Sequence, residues 1–319
     1  MQIAFQIVVV CLLVLITAAS NARAQVSHRL SGGTSSVGAM IGSADFENSA
    51  YDVRSLANEP LTIWPEGNDS DSEDERERIE TDRHDFTQSS TTVPRGFTQF
   101  EFGYTFFQKS GEVEVEDTHT TPELSIRYGL TEKVELRLRY NEVWQFAEQD
   151  RIGSEDLRIG FKLRISDQLA FRPESALEFR FAVPTGGVDF STDDVEFGLD
   201  YTYGWKVAPR IKIYGSSDFS TNALGEFSFL PAEPANEDFI LYSQSIAVGI
   251  ELTDRITAYS EFFGLFTDGF EDDEERPVFY NTGLDYYVTD DFVLDIRAGT
   301  GLNRDAEDLF FGLGGGFRF

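Results

Sequence analysis

The chain has 319 residues, with 26 Lys and Arg against 56 Asp and Glu, so its formal net charge is −30. This charge excludes a nucleic-acid-binding protein, which needs clustered basic residues to neutralise phosphates. Only one apolar run approaches the length of a membrane-spanning helix, which excludes a polytopic helical membrane protein. The single cysteine, Cys11, excludes a disulfide scaffold and a cysteine-based metal site.

The N-terminus has the pattern of an export signal. Residues 4–19 are apolar, and Ala22 and Ala24 have the small-x-small spacing that precedes a signal peptidase cut. We therefore expect residues 1–24 to be a cleaved signal peptide and the mature chain to begin near Gln25. No Lys or Arg precedes the apolar run, so an N-terminal anchor helix is the alternative.

Residues 25–79 show neither a helical nor a strand period and are rich in Ser, Gly, Asn and acidic residues. Acidic residues are dense between Glu66 and Asp85. Such a composition cannot bury enough apolar surface to offset the entropy lost on ordering, so we expect this segment to be largely disordered. A calcium site in the acidic run is the alternative to a solvated tail.

From residue 97 to the C-terminus, apolar and polar residues alternate in twelve successive runs, which is typical of strands with one apolar face. The runs at 210–221 and 255–267 are the least regular, and the second is apolar on both faces. The first run places on its apolar face Phe100, Phe102, Tyr104 and Phe106.

The joins between the runs alternate between short and longer. Five are tight and polar, such as Leu130-Thr131-Glu132-Lys133 and Ser166-Asp167-Gln168, and the other six are mostly longer. We predict an all-β fold, a transmembrane up-and-down antiparallel β-barrel of about twelve strands over residues 97–319, with short periplasmic turns and longer outer loops. A soluble β-sandwich is the competing architecture. The charges and glycines of the polar faces and the surplus of aromatic residues weigh against it.

If the apolar faces meet lipid, the polar faces line a lumen. Bases concentrate on the second to fifth strands and acids on later ones, which would give an open or gated pore a transverse field that orients a charged solute. Alternatively, acids and bases pair across the interior and seal it. The candidate lumen-lining residues are Glu101, Glu123, Arg127, Glu135, Arg137, Arg139, Arg158, Lys162, Arg164, Glu178, Arg180, Asp200, Asp285 and Arg297.

The chain ends in Phe319, with Phe317 on the same face. This ending resembles the terminal-strand signal recognised by the outer-membrane barrel assembly machinery. We therefore expect as partners this machinery, outer-membrane lipid, lipopolysaccharide and a small-molecule solute, and no nucleic acid. The acidic loop at 271–276 either bridges divalent cations to lipopolysaccharide or repels other anions.

The segment before the first strand carries a motif, in which Glu80-Thr81-Asp82-Arg83-His84-Asp85-Phe86-Thr87-Gln88-Ser89 is followed by Val93-Pro94-Arg95-Gly96 and Gln99-Phe100-Glu101. It resembles the opening signature of a bacterial outer-membrane family labelled "putative meta-pathway of phenol degradation". The resemblance covers residues 80–319 in organisation, although the family usually has Pro in place of His84. It implies a barrel that passes aromatic or other small hydrophobic compounds.

The motif, at residues 80–96, lies just before the first strand, at the periplasmic mouth of the predicted barrel. Its mixed charges allow it to fold back into the lumen as a plug, or to be held at the rim by salt bridges. The residues that would form this plug or rim segment are Glu80, Asp82, Arg83, Asp85, Phe86 and Thr87.

We expect no catalytic residue, no metal site and no cofactor. Among the histidines, which are His28, His84 and His119, only the last lies on the outer side, where barrel lipid hydrolases have their active sites. No Gly-x-Ser-x-Gly elbow and no Ser–His–acid constellation accompanies it. The expected function is an outer-membrane channel or transporter for small solutes, and a sealed structural or adhesive barrel is the alternative.

Overall fold

A computed structural model of the chain describes residues 77–83, 85–110, 115–146, 150–191, 193–222, 239–269 and 276–319. The predicted signal-cleavage residues Ala22 and Ala24, nearly all of segment 25–79, His84 and loop residues 271–275 lie outside the described residues. Within the described ranges, no helix is long and apolar enough to cross a membrane.

The described chain forms thirteen strands joined by turns. They are β1 (Thr98–Ser110), β2 (Val115–Gly129), β3 (Val134–Phe146), β4 (Arg151–Ser154), β5 (Leu157–Ser166), β6 (Glu174–Val183), β7 (Glu196–Ala208), β8 (Ile211–Thr221), β9 (Ile240–Thr253), β10 (Ile256–Asp268), β11 (Val278–Thr289), β12 (Phe292–Gly301) and β13 (Leu309–Arg318).

The strands close into an antiparallel barrel because β1 pairs with β13, from Gln99 opposite Arg318 to Gln108 opposite Leu309. The short β4 and the longer β5 both pair with β3, so together they form one interrupted strand of the barrel. The remaining strands pair with their neighbours in chain order. The result is a closed barrel of twelve strands, which confirms the predicted fold class and strand number.

The short connections lie together at one end of the barrel, which we call the inner rim, and the others lie at the outer rim. Two connections differ in length from the prediction. The join between β5 and β6 spans 167–173, because Leu169 and Arg172 pair with each other in the turn. The join between β1 and β2 takes only 111–114, because both strands continue further than the alternation indicated.

The apolar faces point outward. Along β9, exposed and buried residues alternate for almost the full strand, and Ile246 is 55% exposed. In β10, Phe262 and Phe266 point outward, whereas Phe263 and Leu265 are buried inside. A continuous apolar outer surface is the face that a transmembrane barrel presents to lipid.

Near the outer rim, part of the interior is apolar rather than polar. The predicted assignment of the interior to polar residues alone is therefore wrong. The strands concerned carry apolar residues on both faces, so alternation did not distinguish the inward one. The buried cluster consists of Phe107, Phe239, Leu241, Phe263, Leu265, Phe279, Ala306 and Phe310.

The outward face can be tested with two arginine substitutions on β9. Ile246 lies mid-strand, whereas Leu252, 54% exposed, lies at its inner end. An arginine costs about 2–4 kcal/mol at the bilayer midplane and about 0–1 kcal/mol near the interface. We expect Ile246→Arg to lower the free energy of unfolding in lipid vesicles by the larger amount and Leu252→Arg by the smaller, measured by urea titration with tryptophan fluorescence. Equal losses, or a mature chain that is soluble without detergent, would contradict this orientation.

Candidate functional site: a chain segment inside the barrel

The chain enters the barrel before β1 begins. Residues 79–93, apart from residue 84, form what we call the lumen segment. At one end, the Ile79 amide donates to the carbonyl of Asp290 at 2.8 Å, in the inner-rim turn between β11 and β12. At the other end, the Val93 amide donates to the carboxylate of Glu135 at 2.6 Å. The segment therefore enters and leaves at the same rim, and most of its described residues are buried.

Asp82 is held by basic side chains of the barrel wall. Its carboxylate accepts a hydrogen bond from Arg137, and it lies 3.3 Å from Arg127 Nη1 and 3.4 Å from Lys162 Nζ. The Asp82 amide donates to Glu101 Oε2 at 3.1 Å. Charge-assisted contacts of this kind are stronger than neutral hydrogen bonds.

The contact with Asp82 compensates a repulsion in the wall. Arg127 and Arg137 are directly opposite each other on β2 and β3, an arrangement that destabilises a sheet when nothing neutralises it. Glu135 accepts from the Nε atoms of both arginines, at 2.7 and 2.6 Å. Asp82 supplies a second carboxylate, so this side of the lumen depends on a charge that belongs to no strand.

Arg83 reaches the opposite side of the lumen. Its Nη1 donates to Glu123 on β2 at 2.8 Å, and its Nη2 pairs with Asp295 on β12. The guanidinium lies over Gly103 and Gly314, which are register partners on β1 and β13. A Cβ atom at either glycine would overlap the guanidinium, so these glycines make room for the side chain.

The next residues attach the segment to β10. The Phe86 ring stacks on Phe263, with ring centroids 4.4 Å apart and an interplanar angle of 2°. The amides of Phe86 and Thr87 both donate to the carboxylate of Glu261, at 2.9 and 2.7 Å. Glu261 is an inward-facing residue that the sequence analysis missed. It is the single acid within the ambiguous run 255–267, a signal that could have drawn attention to it.

Glu80 and Asp85 complete the set of predicted motif residues. The Ser89 hydroxyl donates to Glu80 at 2.6 Å, and Lys212 Nζ lies 3.5 Å from the Glu80 carboxylate. The Tyr214 hydroxyl donates to Asp85 at 3.0 Å. The structure thus brings all six predicted motif residues together within the barrel interior.

The surroundings of the segment keep its carboxylates ionised. Burial raises the pKa of Asp82, but the charges of Arg127 and Arg137 outweigh that effect and hold its pKa well below the usual value of 3.8. Burial acts on Glu80 in the same direction, and there the charge of Lys212 together with hydrogen bonds lowers the pKa to about 2.

The lumen segment lies between two cavities. The inner cavity has a volume of about 540 Å³ and includes Lys212 and Glu174 in its lining. The outer cavity has a volume of about 120 Å³ and includes Arg139 and Arg158 in its lining. Asp85 lines both cavities, so the segment forms the partition between them.

The predicted lumen residues occupy the inward faces of their strands. Glu123 and Arg139 are partly buried beside the outer cavity, and Arg164 lies near the inner rim, where it pairs with Asp167 at 2.9 Å. Acids and bases form ion pairs across neighbouring strands, as in the contact of Arg137 with Glu178 at 2.8 Å. The buried members are Glu101, Arg127, Glu135, Arg137, Arg158, Lys162, Glu178, Arg180, Asp200, Asp285 and Arg297.

The C-terminal residue completes the pairing of the first and last strands. The Phe319 amide and carbonyl each form a hydrogen bond with the backbone of Thr98, at 2.9 Å. The Phe317 and Phe319 rings stack with centroids 5.7 Å apart and remain partly exposed. The role of these two residues as an assembly signal stays a prediction.

His119 lies on β2 and not in a loop. Its Nδ1 is 2.8 Å from the hydroxyl of Tyr104, and its ring packs against Phe106 and Phe146. Across the part of the chain that the structure describes, no group of three or more His, Cys, Asp or Glu residues is placed to hold a metal ion.

A closed antiparallel barrel with an apolar outer face and a charged interior is a β-barrel of the outer-membrane type. The family model described as "Putative MetA-pathway of phenol degradation" matches residues 81–319. The chain belongs to this family, which confirms the resemblance seen in the motif. No curated protein matches the chain.

Solved structures with a similar fold include several outer-membrane barrels. The NanC porin is 10% identical, with a TM-score of 0.46 over 69% of this chain and 98% of its own. The translocator domain of the autotransporter NalP from Neisseria meningitidis is 12% identical, with a TM-score of 0.48 over 71% of this chain and 90% of its own. The KdgM porin is 9% identical, with a TM-score of 0.42 over 69% of this chain and 99% of its own.

The grip on the lumen segment can be tested by removing its central carboxylate. Removing one partner of a buried ion pair typically costs about 3–5 kcal/mol, because the remaining charges lose their counter-ion. We expect Asp82→Ala to free the segment and to make the bond after Arg83 accessible to trypsin, followed by mass spectrometry of folded protein. Thr92→Ala, which removes an exposed hydrogen bond to the Glu132 carbonyl, is the control. Equal cleavage rates in both variants would show that Asp82 does not hold the segment.

The lowered pKa of Asp82 gives a second prediction. A carboxylate whose pKa is depressed in the native state contributes stability that is fully present above its ordinary pKa, here 3.8, and is lost as the pH falls through the lowered value. We therefore expect trypsin-independent probes of the segment, such as hydrogen exchange of the Thr87 amide, to be constant from pH 8 to about pH 5. Release of the segment within that range would contradict the ion-pair cluster.

Proposed function

We propose that the protein is an outer-membrane channel for small solutes and that its lumen segment is a plug inserted from the periplasmic side. The observation that carries the proposal is the contact of Asp82 with Arg127 and Arg137, because it makes the segment the counter-charge of the lumen wall. The position of the segment between two cavities supports the same conclusion. A segment attached at one rim alone can leave by that rim without unfolding the barrel.

The topology assigns the two rims to the two sides of the membrane. Outer-membrane barrels have short periplasmic turns, and the inner rim of this barrel carries the short connections. The lumen segment and the chain upstream of it would then lie on the periplasmic side. This arrangement agrees with export by a cleaved signal peptide ending at Ala24, which is part of the proposal.

The solute class follows in part from the apolar cluster near the outer rim. Phe107, Leu241 and Leu265 line the outer cavity together with Phe86 of the lumen segment. Such a lining favours a solute with an aromatic or other apolar body, and the phenol-degradation label of the family points the same way. The alternative function, a sealed structural barrel, is supported by the ion pairs across the interior, so a direct measurement of conduction must separate the two.

Single-channel recording in planar bilayers provides this measurement. We compare the mature chain from Gln25 with a truncation that begins at Thr92 and with the double variant Asp82→Ala/Arg83→Ala. The truncation should conduct in larger steps than the mature chain, because the partition between the cavities is gone. Its current should favour anions, because Arg127 and Arg137 lose a carboxylate partner.

Heat-modifiable gel mobility verifies that each protein is folded before recording. Silence of the folded truncation and of the folded double variant would refute the channel and support the sealed barrel. Equal step sizes in the mature chain and the truncation would establish a pore but would refute the plug.

A further inference from the structure

Two arginine pairs with the same geometry lie next to each other on the inner wall. Arg127 on β2 is directly opposite Arg137 on β3, and Arg139 on β3 is directly opposite Arg158 on β5. Arg137 and Arg139 are successive inward-facing residues of one strand. The first pair holds the carboxylate of Asp82, whereas no residue of the lumen segment contacts the second pair among the described residues.

The second pair is only partly neutralised. Within the described ranges, Arg139 forms no hydrogen bond and no ion pair. Arg158 lies 3.3 Å from Glu155, and Glu155 also accepts a hydrogen bond from Asn141 at 2.8 Å. Two guanidinium groups therefore face each other with a single carboxylate beside them, although like charges directly across a sheet destabilise it.

The other acids of the outer cavity have basic partners. Arg83 pairs with Glu123 at 2.8 Å, and Arg127 pairs with Glu101 at 3.0 Å. Arg180 forms an ion pair with Asp218. The excess positive charge of this cavity is therefore concentrated at Arg139.

A hydroxyl group lies in position to assist. Ser125 is directly opposite Arg139 on β2, lines the outer cavity and is 7% exposed. Its hydroxyl is buried and has no hydrogen-bond partner in the described chain. Buried hydroxyl groups are normally bonded, and a donor beside two guanidinium groups suits an oxygen anion.

The cavity also has an apolar side, formed by Phe86, Phe107, Leu241 and Leu265. Its volume of about 120 Å³ is comparable to that of an apolar cavity of about 150 Å³ that binds benzene. A ligand for this space combines one anionic group with a compact apolar body.

We propose that the outer cavity binds a small carboxylate with an apolar body, such as an aromatic acid. Its carboxylate lies between Arg139 and Arg158, in the way that Asp82 lies between Arg127 and Arg137, and accepts a hydrogen bond from the Ser125 hydroxyl. The site deepens the proposed channel function by naming a solute class and rests on it for its biological role. Binding itself requires no passage through the barrel.

Calorimetric titration of the full mature chain in lipid nanodiscs tests the site, with benzoate as the probe and phenol as its uncharged counterpart. We expect benzoate to bind at least tenfold more tightly than phenol. Arg139→Gln should weaken benzoate binding at least tenfold and leave phenol binding unchanged. Arg172→Gln, in the exposed inner-rim turn, removes an equal charge away from the cavity and should leave both affinities unchanged.

Equal affinities for benzoate and phenol, or full benzoate affinity in folded Arg139→Gln, would overturn the proposal. If that variant does not fold, Arg139→Lys decides the matter, because lysine keeps the charge but loses the planar fork that binds a carboxylate through two hydrogen bonds. We expect it to bind benzoate several-fold more weakly, and unchanged affinity would again overturn the site. Benzoate binding by a chain that does not conduct would refute the channel alone, and conduction without benzoate binding would refute this site alone.

Discussion

A lipid environment leaves no backbone hydrogen-bonding group without a partner, and this constraint determines the architecture of the protein. A sheet meets it only when its first and last strands pair, as β1 and β13 do down to the hydrogen bonds between Thr98 and Phe319. Closure separates an outer face that contacts lipid from an inner face that does not. With twelve strands the interior is narrow, so inward side chains contact one another and the enclosed chain segment.

The inner face carries an unusual number of like charges in register, and this makes the lumen segment part of the electrostatic structure of the barrel. In each of three such pairs, at least one member has a partner of opposite charge: Asp82 contacts both arginines of the first, Arg180 contacts Asp218, and Arg83 contacts Asp295. Two of these three counter-charges come from the lumen segment. The like-charged register pairs are Arg127 with Arg137, Arg139 with Arg158, Asp200 with Asp218, and Asp285 with Asp295.

The sequence was sufficient for the barrel because alternation is a local property. The run from Phe100 to Phe106 identifies its outward face without knowledge of any other strand, and the same holds for most of the inward charges. Alternation did not identify Phe263, Phe279 and Phe310 as interior residues, because apolar residues flank them on both faces. Only contact with the lumen segment and with neighbouring strands decides which face turns inward there.

The path of the lumen segment was beyond what sequence could determine. The motif composition allowed either a plug or a rim segment, and the difference depends on contacts between residues far apart in the chain. Thr87 bonds to Glu261, and Arg83 bonds to Asp295, across separations of more than 170 residues. No local propensity reports such contacts, although the mixed charges of the motif indicated that it seeks partners of both signs.

The placement of Arg83 has a consequence for the order of assembly. Its two acidic partners, Glu123 and Asp295, lie on the strands that flank the junction of β1 and β13, and its guanidinium covers the glycine pair at that junction from inside. The side chain therefore acts as a clamp across the last seam to be sewn when the barrel forms. A chain that threads its own N-terminal segment inside must do so while this seam is still open, so the segment is a template for closure as well as an occupant of the finished barrel.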